Sequence, residues 1–231
     1  MIEIIAHRGA SKDRLENSRA AFELALEQGC DGIELDVHAT EDGVVVVHHD
    51  AQLASSHDGS TVSIATSRWA DLEMLRLSNG ERIPTLDETL EMTAGRAIAY
   101  IEVKGSGIER QVADCLWRHE QARAAVHSFD HRIPLRVRAL RPSLPIGLLS
   151  ASYPVDMAGF IGTASADSLW QQSSLIDEAL VGDVMRLGSR VIAWTENDAG
   201  RSAELMRMGV YGICTDTPAR LRTALERLVS G

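Results

Sequence analysis

The chain has 231 residues, of which 45% are hydrophobic and 24% are charged, and these values are typical of a globular protein. The formal net charge of −10 argues against nucleic acid as a partner, because nucleic-acid binding needs a basic face. The three cysteines, Cys30, Cys115 and Cys214, are widely spaced, which argues against a disulfide scaffold or a zinc site. The first residues lack the pattern of a signal peptide, and no run of about 18 apolar residues occurs. We therefore expect a cytoplasmic protein without a membrane span.

Short apolar segments rich in β-branched residues recur along the chain and predict buried strands. Helical patterns lie between most of them. The first helical pattern has Asn17 or Ser18 as its cap and ends at Gly29, and the last begins with Thr217 and Pro218. This alternation is typical of a parallel sheet. The predicted strands cover residues 2–6, 32–37, 44–47, 98–103, 125–129, 146–150, 167–171, 190–195 and 211–216.

The segments 32–37 and 44–47 are separated only by the residues HATEDG. A parallel crossover needs about a dozen residues or more, so these two segments must form an antiparallel hairpin that turns at Asp42-Gly43. If the turn centres on residues 41–42 without a bulge, residue 47 pairs near residue 36 and residue 49 near residue 34. This register returns His49 to the level of Glu34.

Without the return strand of the hairpin, eight parallel strands remain, which predicts an α/β fold of the (β/α)8 TIM-barrel type. We expect one domain over residues 1–231, with a small insertion at about residues 38–84 after the second strand. An internal repeat, G-x-x-G-I-x-x-D at 29–36 and 209–216, supports equivalent units. A doubly wound sheet is the alternative, but no G-x-G-x-x-G follows the first strand.

Polar residues stand at the carboxyl ends of the predicted strands, where TIM barrels carry their active sites. Glu34 and Asp36 are two apart on one strand and therefore share a face, and Glu102 lies at the end of the next parallel strand. Two inward carboxylates repel each other unless a cation lies between them. Three converging carboxylates predict a site for a hard divalent cation, Mg²⁺ or Ca²⁺.

Two imidazoles and two cations complete this predicted cluster. His7 and Arg8 end the first strand, His49 arrives on the hairpin, and Lys104 follows Glu102. Histidines that move protons beside cations that stabilise phosphoryl charge predict phosphoryl transfer.

Eight segments of the chain resemble, in order, the glycerophosphodiester phosphodiesterase family. They are HRGA, EN (Glu16-Asn17), GCDGIELDVHATEDGVVVVHHD, IPTLDE, IEVK, SFD, WTEND and GVYGICTDTP. The resemblance implies a TIM barrel with a small insertion after the second strand. It also implies metal-dependent hydrolysis of a small-molecule glycerophosphodiester to sn-glycerol 3-phosphate and an alcohol.

The resemblance also implies roles for individual residues. The acid/base pair is His7 and His49, the metal ligands are Glu34, Asp36 and Glu102, and the phosphate contacts are Arg8 and Lys104. We further expect Trp194 to form a wall of the substrate pocket, and Asn17 either to cap a helix or to orient groups near Arg8. Two positions depart from the family pattern: Leu15 stands where Pro is frequent, and Ala54-Ser55-Ser56 replaces a sequence similar to R-T-T.

Several alternatives stay open at this point. The protein could be a lysophospholipase D or an inositol-phosphodiester enzyme of the same fold, or a catalytically silent barrel that binds a phosphorylated ligand. The residues do not decide which histidine is the acid, or whether water attacks directly rather than after a cyclic phosphate forms. They also leave open the alcohol head group and the oligomeric state.

Overall fold

The structure, a computed structural model, describes residues 2–54 and 59–230. Ser55 and Ser56, which belong to the segment that departs from the family pattern, lie outside the described residues. The strands are β1 (Glu3–His7), β2 (Gly32–Ala39), β3 (Val45–Val47), β4 (Gln52–Ala54), β5 (Thr61–Ser63), β6 (Ile98–Val103), β7 (Ala124–Ser128), β8 (Ile146–Ser150), β9 (Ser168–Gln172), β10 (Arg190–Trp194) and β11 (Gly212–Thr215).

Eight of these strands form a closed parallel barrel. The order of the sheet is β1-β11-β10-β9-β8-β7-β6-β2, and β1 also pairs with β2, which joins the two ends. This confirms the predicted TIM barrel. Among the described residues, seven α-helices and one π-helical segment, Ala158–Gly162 between β8 and β9, connect the barrel strands or follow the last of them. The helices are α1 (Arg19–Glu27), α2 (Trp69–Leu72), α3 (Leu86–Thr93), α4 (Glu109–Arg118), α5 (Arg132–Leu140), α6 (Glu178–Arg186), α7 (Ala199–Met208) and α8 (Pro218–Ser230), of which α2 lies outside the barrel repeat.

Local capping explains where several helices begin. The Ser18 hydroxyl accepts a hydrogen bond from the Ala21 amide, so Ser18 rather than Asn17 caps α1. Thr85 and Glu88 form a reciprocal capping box at the start of α3. Helix α7 ends at Gly209, whose left-handed backbone (φ +91°) glycine adopts without a steric penalty.

The predicted hairpin is present, and its register differs by one residue from the expectation. Val47 pairs with Val37 rather than with residue 36. The two strands are joined by a three-residue loop that ends in Gly43. Gly43 has a left-handed φ of +86° and forms a bulge, which shifts the pairing by one residue relative to a turn without a bulge. The amide of His48 donates to the carbonyl of Asp36, so the return strand still reaches the carboxyl end of β2.

Between β2 and α3 the chain forms a small layer with its own apolar contacts. Strands β4 and β5 form a separate two-stranded antiparallel sheet, and a 3-10 turn and α2 follow them. The buried side chains of this layer form one cluster, Val46, Leu53, Ile64, Leu72, Leu77 and Ile83. This layer supports the β3 strand that leads to His49.

The barrel interior is filled with side chains and does not form a pore. The buried interior cluster contains Ile5, Tyr100, Leu149, Trp170, Ile192 and Cys214. The outward faces of the strands pack against the helices in two larger apolar clusters. The filled interior supports the polar residues at the carboxyl ends of the strands from below. No helix in the described part of the chain has the length and apolar character needed to cross a bilayer.

Candidate active site

The carboxyl ends of the barrel strands enclose a cavity of about 220 Å³. Seven residues that the sequence predicted for the site line it: His7, Arg8, Glu34, His49, Glu102, Lys104 and Trp194. The other lining residues are His127, Phe129, Leu149, Trp170, Thr195 and Cys214. Residues from all eight barrel strands or the loops after them, and from the hairpin, therefore meet at one site.

Two of the three predicted metal ligands converge with a histidine. Ligand atoms of Glu34, Glu102 and His127 all lie within 4.8 Å of one another, and all three residues are buried. The register brings Glu102 beside His127 across β6 and β7, and Glu34 lies one strand away, two residues before Asp36, which pairs with Glu102. Two carboxylates and one imidazole at this spacing form a donor set that fits a divalent cation.

Ionisation of both carboxyl groups of this set, Glu34 and Glu102, is unfavourable in the absence of a cation. Burial, and then the negative charges of Asp36 and Glu102, raise the pKa of Glu34 well above its usual value. Burial, and then the charge of Asp36, raise the pKa of Glu102 to about 7. A bound cation would remove this repulsion and favour the ionised carboxylates. The electrostatics of the site therefore agree with a cation site.

Asp36 has a different environment from the other two carboxylates. Its Oδ2 lies 3.0 Å from Arg8 Nε and accepts a hydrogen bond of 2.8 Å from the Asn17 side-chain amide, and its Oδ1 lies 3.7 Å from Lys104 Nζ. Burial opposes ionisation, but these partners outweigh it, so the pKa of Asp36 lies below its usual value. The buried Oδ1 has no hydrogen-bond partner among the described residues, which leaves one oxygen for a ligand.

Arg8 and Asn17 are held in unusual backbone conformations at this site. Both have left-handed φ angles, +56° and +51°, which for a residue other than glycine cost about 1–3 kcal/mol. The Arg8 amide donates to the Glu34 carbonyl, and the Asn17 amide donates to the Arg8 carbonyl. The Arg8 guanidinium also forms an ion pair of 2.9 Å with Glu16. The segments HRG and EN of the sequence are thus joined, and Asn17 is buried beside Asp36.

His7 is fixed by the carboxylate of Asp216, the residue that follows the last barrel strand. Its Nδ1 lies 2.7 Å from Asp216 Oδ1, which also accepts a hydrogen bond from the Ser11 hydroxyl. Asn197 donates to the other oxygen of Asp216 at 2.7 Å. The hydrogen bond with His7 is the main cause that lowers the pKa of Asp216 to about 2, so this carboxylate is ionised at neutral pH. It therefore accepts a hydrogen bond from the Nδ1–H group of His7 and leaves Nε2 of His7 for other contacts.

His49 has a similar but more exposed partner. Its Nδ1 lies 2.8 Å from Asp50 Oδ1, and the Asp50 side chain is 75% exposed. The Nε2 atom of His38 lies 3.1 Å from the His49 carbonyl, which fixes the backbone of the return strand. Each predicted acid/base histidine therefore has a carboxylate at Nδ1.

Aromatic side chains form the wall opposite the charged groups. The Trp194 indole donates to the Trp170 carbonyl at 2.9 Å, and its ring makes an edge-to-face contact with Phe129, with centroids 5.4 Å apart. Lys104 Nζ lies 3.3 Å from Glu102 Oε1 and lines the cavity. The cavity thus has a charged side and an apolar side.

A larger cavity of about 490 Å³ lies at the opposite, amino-terminal end of the barrel. Residues at the starts of the strands line it, among them Ile98, Arg123 and Arg190. It contains none of the predicted site residues, and the amino-terminal end of a TIM barrel contributes to stability rather than to catalysis. The smaller cavity is therefore the candidate active site.

Two residues of the site, Asp216 and His127, have no role predicted from the sequence. Asp216 ends the repeat G-x-x-G-I-x-x-D, and its position equivalent to Asp36 was a signal that it lies at the mouth of the barrel. His127 is two residues from Ala125 and two from Phe129, and this spacing places all three side chains on the inward face of the strand.

Comparisons with known proteins point to one family. A model of the glycerophosphoryl diester phosphodiesterase family matches residues 7–220. The glycerophosphodiester phosphodiesterase of Caldanaerobacter subterraneus is 33% identical, over 94% of this chain and 95% of that protein. The Bacillus subtilis protein YhdW is 34% identical, over 93% of this chain and 94% of its own length.

A solved structure shows the same architecture. The phosphodiesterase of Oleispira antarctica, solved in complex with the product sn-glycerol 3-phosphate, has a TM-score of 0.88 at 26% identity, over 97% of this chain and 96% of that chain. The family match spans nearly the whole barrel, including the segments that line the cavity. The chain therefore belongs to the glycerophosphoryl diester phosphodiesterase family.

Proposed function

We propose that the protein hydrolyses glycerophosphodiesters to sn-glycerol 3-phosphate and an alcohol in the cavity at the carboxyl end of the barrel. The observation that carries this proposal is the meeting of two histidines, two cations and two buried carboxylates in one cavity: His7, His49, Arg8, Lys104, Glu34 and Glu102. Membership of the family and the product bound by the Oleispira relative support the same reaction.

We propose Glu34, Asp36 and Glu102 as the residues that hold a divalent cation, Mg²⁺ or Ca²⁺. The raised pKa values of Glu34 and Glu102 and the unpartnered oxygen of Asp36 support this set. When bound, such a cation supplies Lewis-acid stabilisation of phosphoryl charge and lowers the pKa of a nucleophile.

His7 and His49 move the protons of the reaction. Because Nδ1 of each imidazole is hydrogen-bonded to a carboxylate, Nε2 is the nitrogen that exchanges a proton with the substrate or the nucleophile. One imidazole takes the proton of the nucleophile, and the other gives a proton to the departing alcohol oxygen.

Arg8 and Lys104 bind the phosphodiester group. Both side chains line the cavity, and both are oriented by Asp36, which lies behind them. Positive charges held in place before the reaction stabilise the negative charge that develops on the phosphoryl oxygens. We propose that Asn17 orients Arg8 through Asp36, and that Trp194 forms the apolar wall next to the substrate.

The size of the cavity favours a small water-soluble substrate over a lysophospholipid. Its volume of about 220 Å³ lies below the range of about 300–1,000 Å³ that is usual for pockets holding drug-sized ligands. The acyl chain of a lysophospholipid would have to extend beyond this cavity.

A panel of phosphodiesters tests the proposed function. The purified protein is incubated with glycerophosphocholine, glycerophosphoethanolamine, glycerophosphoglycerol, glycerophosphoinositol or lysophosphatidylcholine, and release of glycerol 3-phosphate or lysophosphatidate is measured. We expect glycerol 3-phosphate, its loss with EDTA, and recovery with Mg²⁺ or Ca²⁺. Preference for the lysophospholipid would support a lysophospholipase D, and binding of the esters without turnover would support a silent barrel.

Substitution of the two histidines tests their roles in the same assay. His7→Ala and His49→Ala should each reduce kcat by about 10²–10⁴-fold, which is the contribution of general acid–base catalysis. The circular dichroism spectrum should be unchanged, because both side chains lie at the mouth of the barrel rather than in its core. Near-normal turnover by both variants would contradict the assignment.

The remaining expectations stay predictions. They are a single catalytic domain with residues 38–84 as its insertion, a cytoplasmic location, and the lack of a nucleic-acid partner. The cation that the protein uses in the cell and its oligomeric state are separate questions for experiment.

A further inference from the structure

His127 is a buried histidine at the cation site whose ring nitrogens lack ordinary partners. The residue is 1% exposed, and its Nδ1 has no hydrogen-bond partner among the described residues. Its Nε2 lies 3.9 Å from Glu34 Oε1, which is beyond hydrogen-bond distance. A histidine that served only to fill the core would be expected to have at least one hydrogen bond to its ring, because an unpaired buried polar group costs about 1–3 kcal/mol.

The orientation of this ring is fixed by stacking. The imidazole lies parallel to the Trp170 indole, with ring centroids 4.1 Å apart and an interplanar angle of 12°. Trp170 belongs to the filled interior of the barrel. The ring is therefore held in one orientation before any ligand binds, without the hydrogen bond that usually orients a metal-binding histidine.

The distance to Glu34 suits two ligands of one cation. Ligand atoms about 2.0–2.2 Å from a shared ion lie about 3–4 Å apart, depending on the angle between them. The separation of 3.9 Å between Nε2 and Oε1 lies in this range, and Glu102 completes the group within 4.8 Å.

We propose that His127 is a nitrogen ligand of the divalent cation, and that it shifts the selectivity of the site toward borderline cations such as Co²⁺ and away from Ca²⁺. This inference rests on the proposed metal-dependent function and adds a ligand to its carboxylate set. Carboxylates suit Mg²⁺, Ca²⁺ and Mn²⁺, whereas an imidazole raises affinity along the series from Mn²⁺ to Cu²⁺. Removal of the imidazole should therefore weaken Co²⁺ binding much more than Ca²⁺ binding.

Calorimetric titration of the metal-free protein with CoCl₂ and with CaCl₂ gives the first test. His127→Gln and His127→Leu should lower Co²⁺ affinity by at least about tenfold, with a smaller change for Ca²⁺. His119→Gln is the matched control, because His119 lies on the loop after α4 and binds Asp87 rather than the site. Equal Co²⁺ and Ca²⁺ effects in the His127 variants, or no effect, would overturn the inference.

Pulsed electron paramagnetic resonance of the Mn²⁺-loaded protein gives the second test. We expect a ¹⁴N coupling in the unsubstituted protein and in His119→Gln, and its loss in both His127 variants. Absence of this coupling from the unsubstituted protein overturns the inference even if no His127 variant folds. If cations bind without that coupling, only the role of His127 fails. If no divalent cation binds the unsubstituted protein, the proposed metal-dependent function fails as well.

Discussion

Asp216 determines how His7 can take part in proton transfer. Its carboxylate has partners on both oxygens, Ser11 and His7 on one and Asn197 on the other, so it cannot rotate without breaking hydrogen bonds. An ionised carboxylate at Nδ1 fixes the tautomer and the orientation of the ring and stabilises the imidazolium that forms during the reaction. We therefore regard Asp216 as a positioning residue for His7.

Asp216→Asn tests this positioning role. We expect kcat to fall by about 100-fold with little change in KM, because the amide cannot stabilise a charged imidazolium and can favour the other tautomer. In a His7→Ala background the same substitution should have little further effect, because the two residues act as one unit. Independent, multiplicative losses in a double-mutant cycle would contradict the assignment.

The site residues that could be predicted from the sequence are those whose position follows from the pattern of strands alone. Glu34 and Glu102 lie on neighbouring apolar strands, so their convergence follows from the barrel without knowledge of any side-chain contact. The roles of Asp216 and His127 depend instead on partners from distant segments. Asp216 and His7 are 209 positions apart, and the orientation of His127 depends on the Trp170 ring of a strand two positions away in the sheet.

At the scale of elements, the turn from β1 to α1 depends on Gly9. Its φ is +84°, and a Cβ at this position would lie 2.7 Å from the backbone carbon of Ala21 on α1. This close approach holds the loop that carries Arg8 against the helix, and the Ala10 amide donates to the Ala21 carbonyl there. Gly9 is therefore required for two reasons: a side chain would collide with Ala21, and the backbone has a left-handed φ.

Gly9→Ala should lower both stability and activity, and Gly29→Ala supplies a matched control. Gly29 also has a positive φ of +72°, but a Cβ there would have no atom within 4 Å. We expect about 1 kcal/mol of destabilisation for Gly29→Ala from the backbone alone, and clearly more for Gly9→Ala. Chemical denaturation and kcat/KM measure the two effects. Equal losses of stability with unchanged activity would show that the close approach to Ala21 does not position Arg8.

A second element-scale contact joins α3 to the end of α4 through Asp87. Its carboxylate accepts hydrogen bonds from the Arg118 guanidinium and lies 2.8 Å from His119 Nε2. Burial opposes ionisation of Asp87, but these hydrogen bonds outweigh it, so its pKa lies below the usual value. Because the folded pKa is depressed, the stabilisation is complete above the unfolded value of about 3.9 and is lost as the pH falls through the folded pKa.

Asp87→Asn should therefore destabilise the protein by the full amount above about pH 4, and by progressively less as the pH falls below that value. At pH 7 we expect a loss of about 1 kcal/mol or less, since the carboxylate is partly exposed and its ion pair is screened by solvent. The difference in the free energy of unfolding between the two proteins, measured by urea denaturation, should decrease below pH 4. A difference that is constant across this range would show that the charge of Asp87 does not contribute.

The elements of the barrel were predictable from the sequence because apolar strands and capped helices alternate along it. All eight parallel strands begin within two residues of their expected positions, including β6 at Ile98 and β11 at Gly212. Local hydrogen bonds that the pattern does not encode explain the differences. Gly43 sets the hairpin register through its bulge, and the connection from β8 to β9 contains a π-helical segment rather than an α-helix.

For the whole molecule, the cation site links function to stability. Glu34 and Glu102 belong to neighbouring strands of the closed barrel, and the mutual repulsion of their buried carboxylates opposes folding. A cation that binds only the folded barrel stabilises it by about 2.7 kcal/mol at one hundred times its Kd. Addition of MgCl₂ or CaCl₂ to metal-free protein should raise Tm, and Glu34→Gln with Glu102→Gln should abolish the shift. An unchanged Tm at saturating cation would argue against the site.

The central claim is that this barrel cleaves a glycerophosphodiester on the alcohol side of the phosphorus. The most direct measurement is ³¹P nuclear magnetic resonance of glycerophosphocholine incubated with the protein and a divalent cation. The account predicts that the diester resonance is replaced by that of glycerol 3-phosphate, and that EDTA prevents the change. Formation of phosphocholine in place of glycerol 3-phosphate, or a diester resonance that persists with every divalent cation and every head group of the panel, would contradict it.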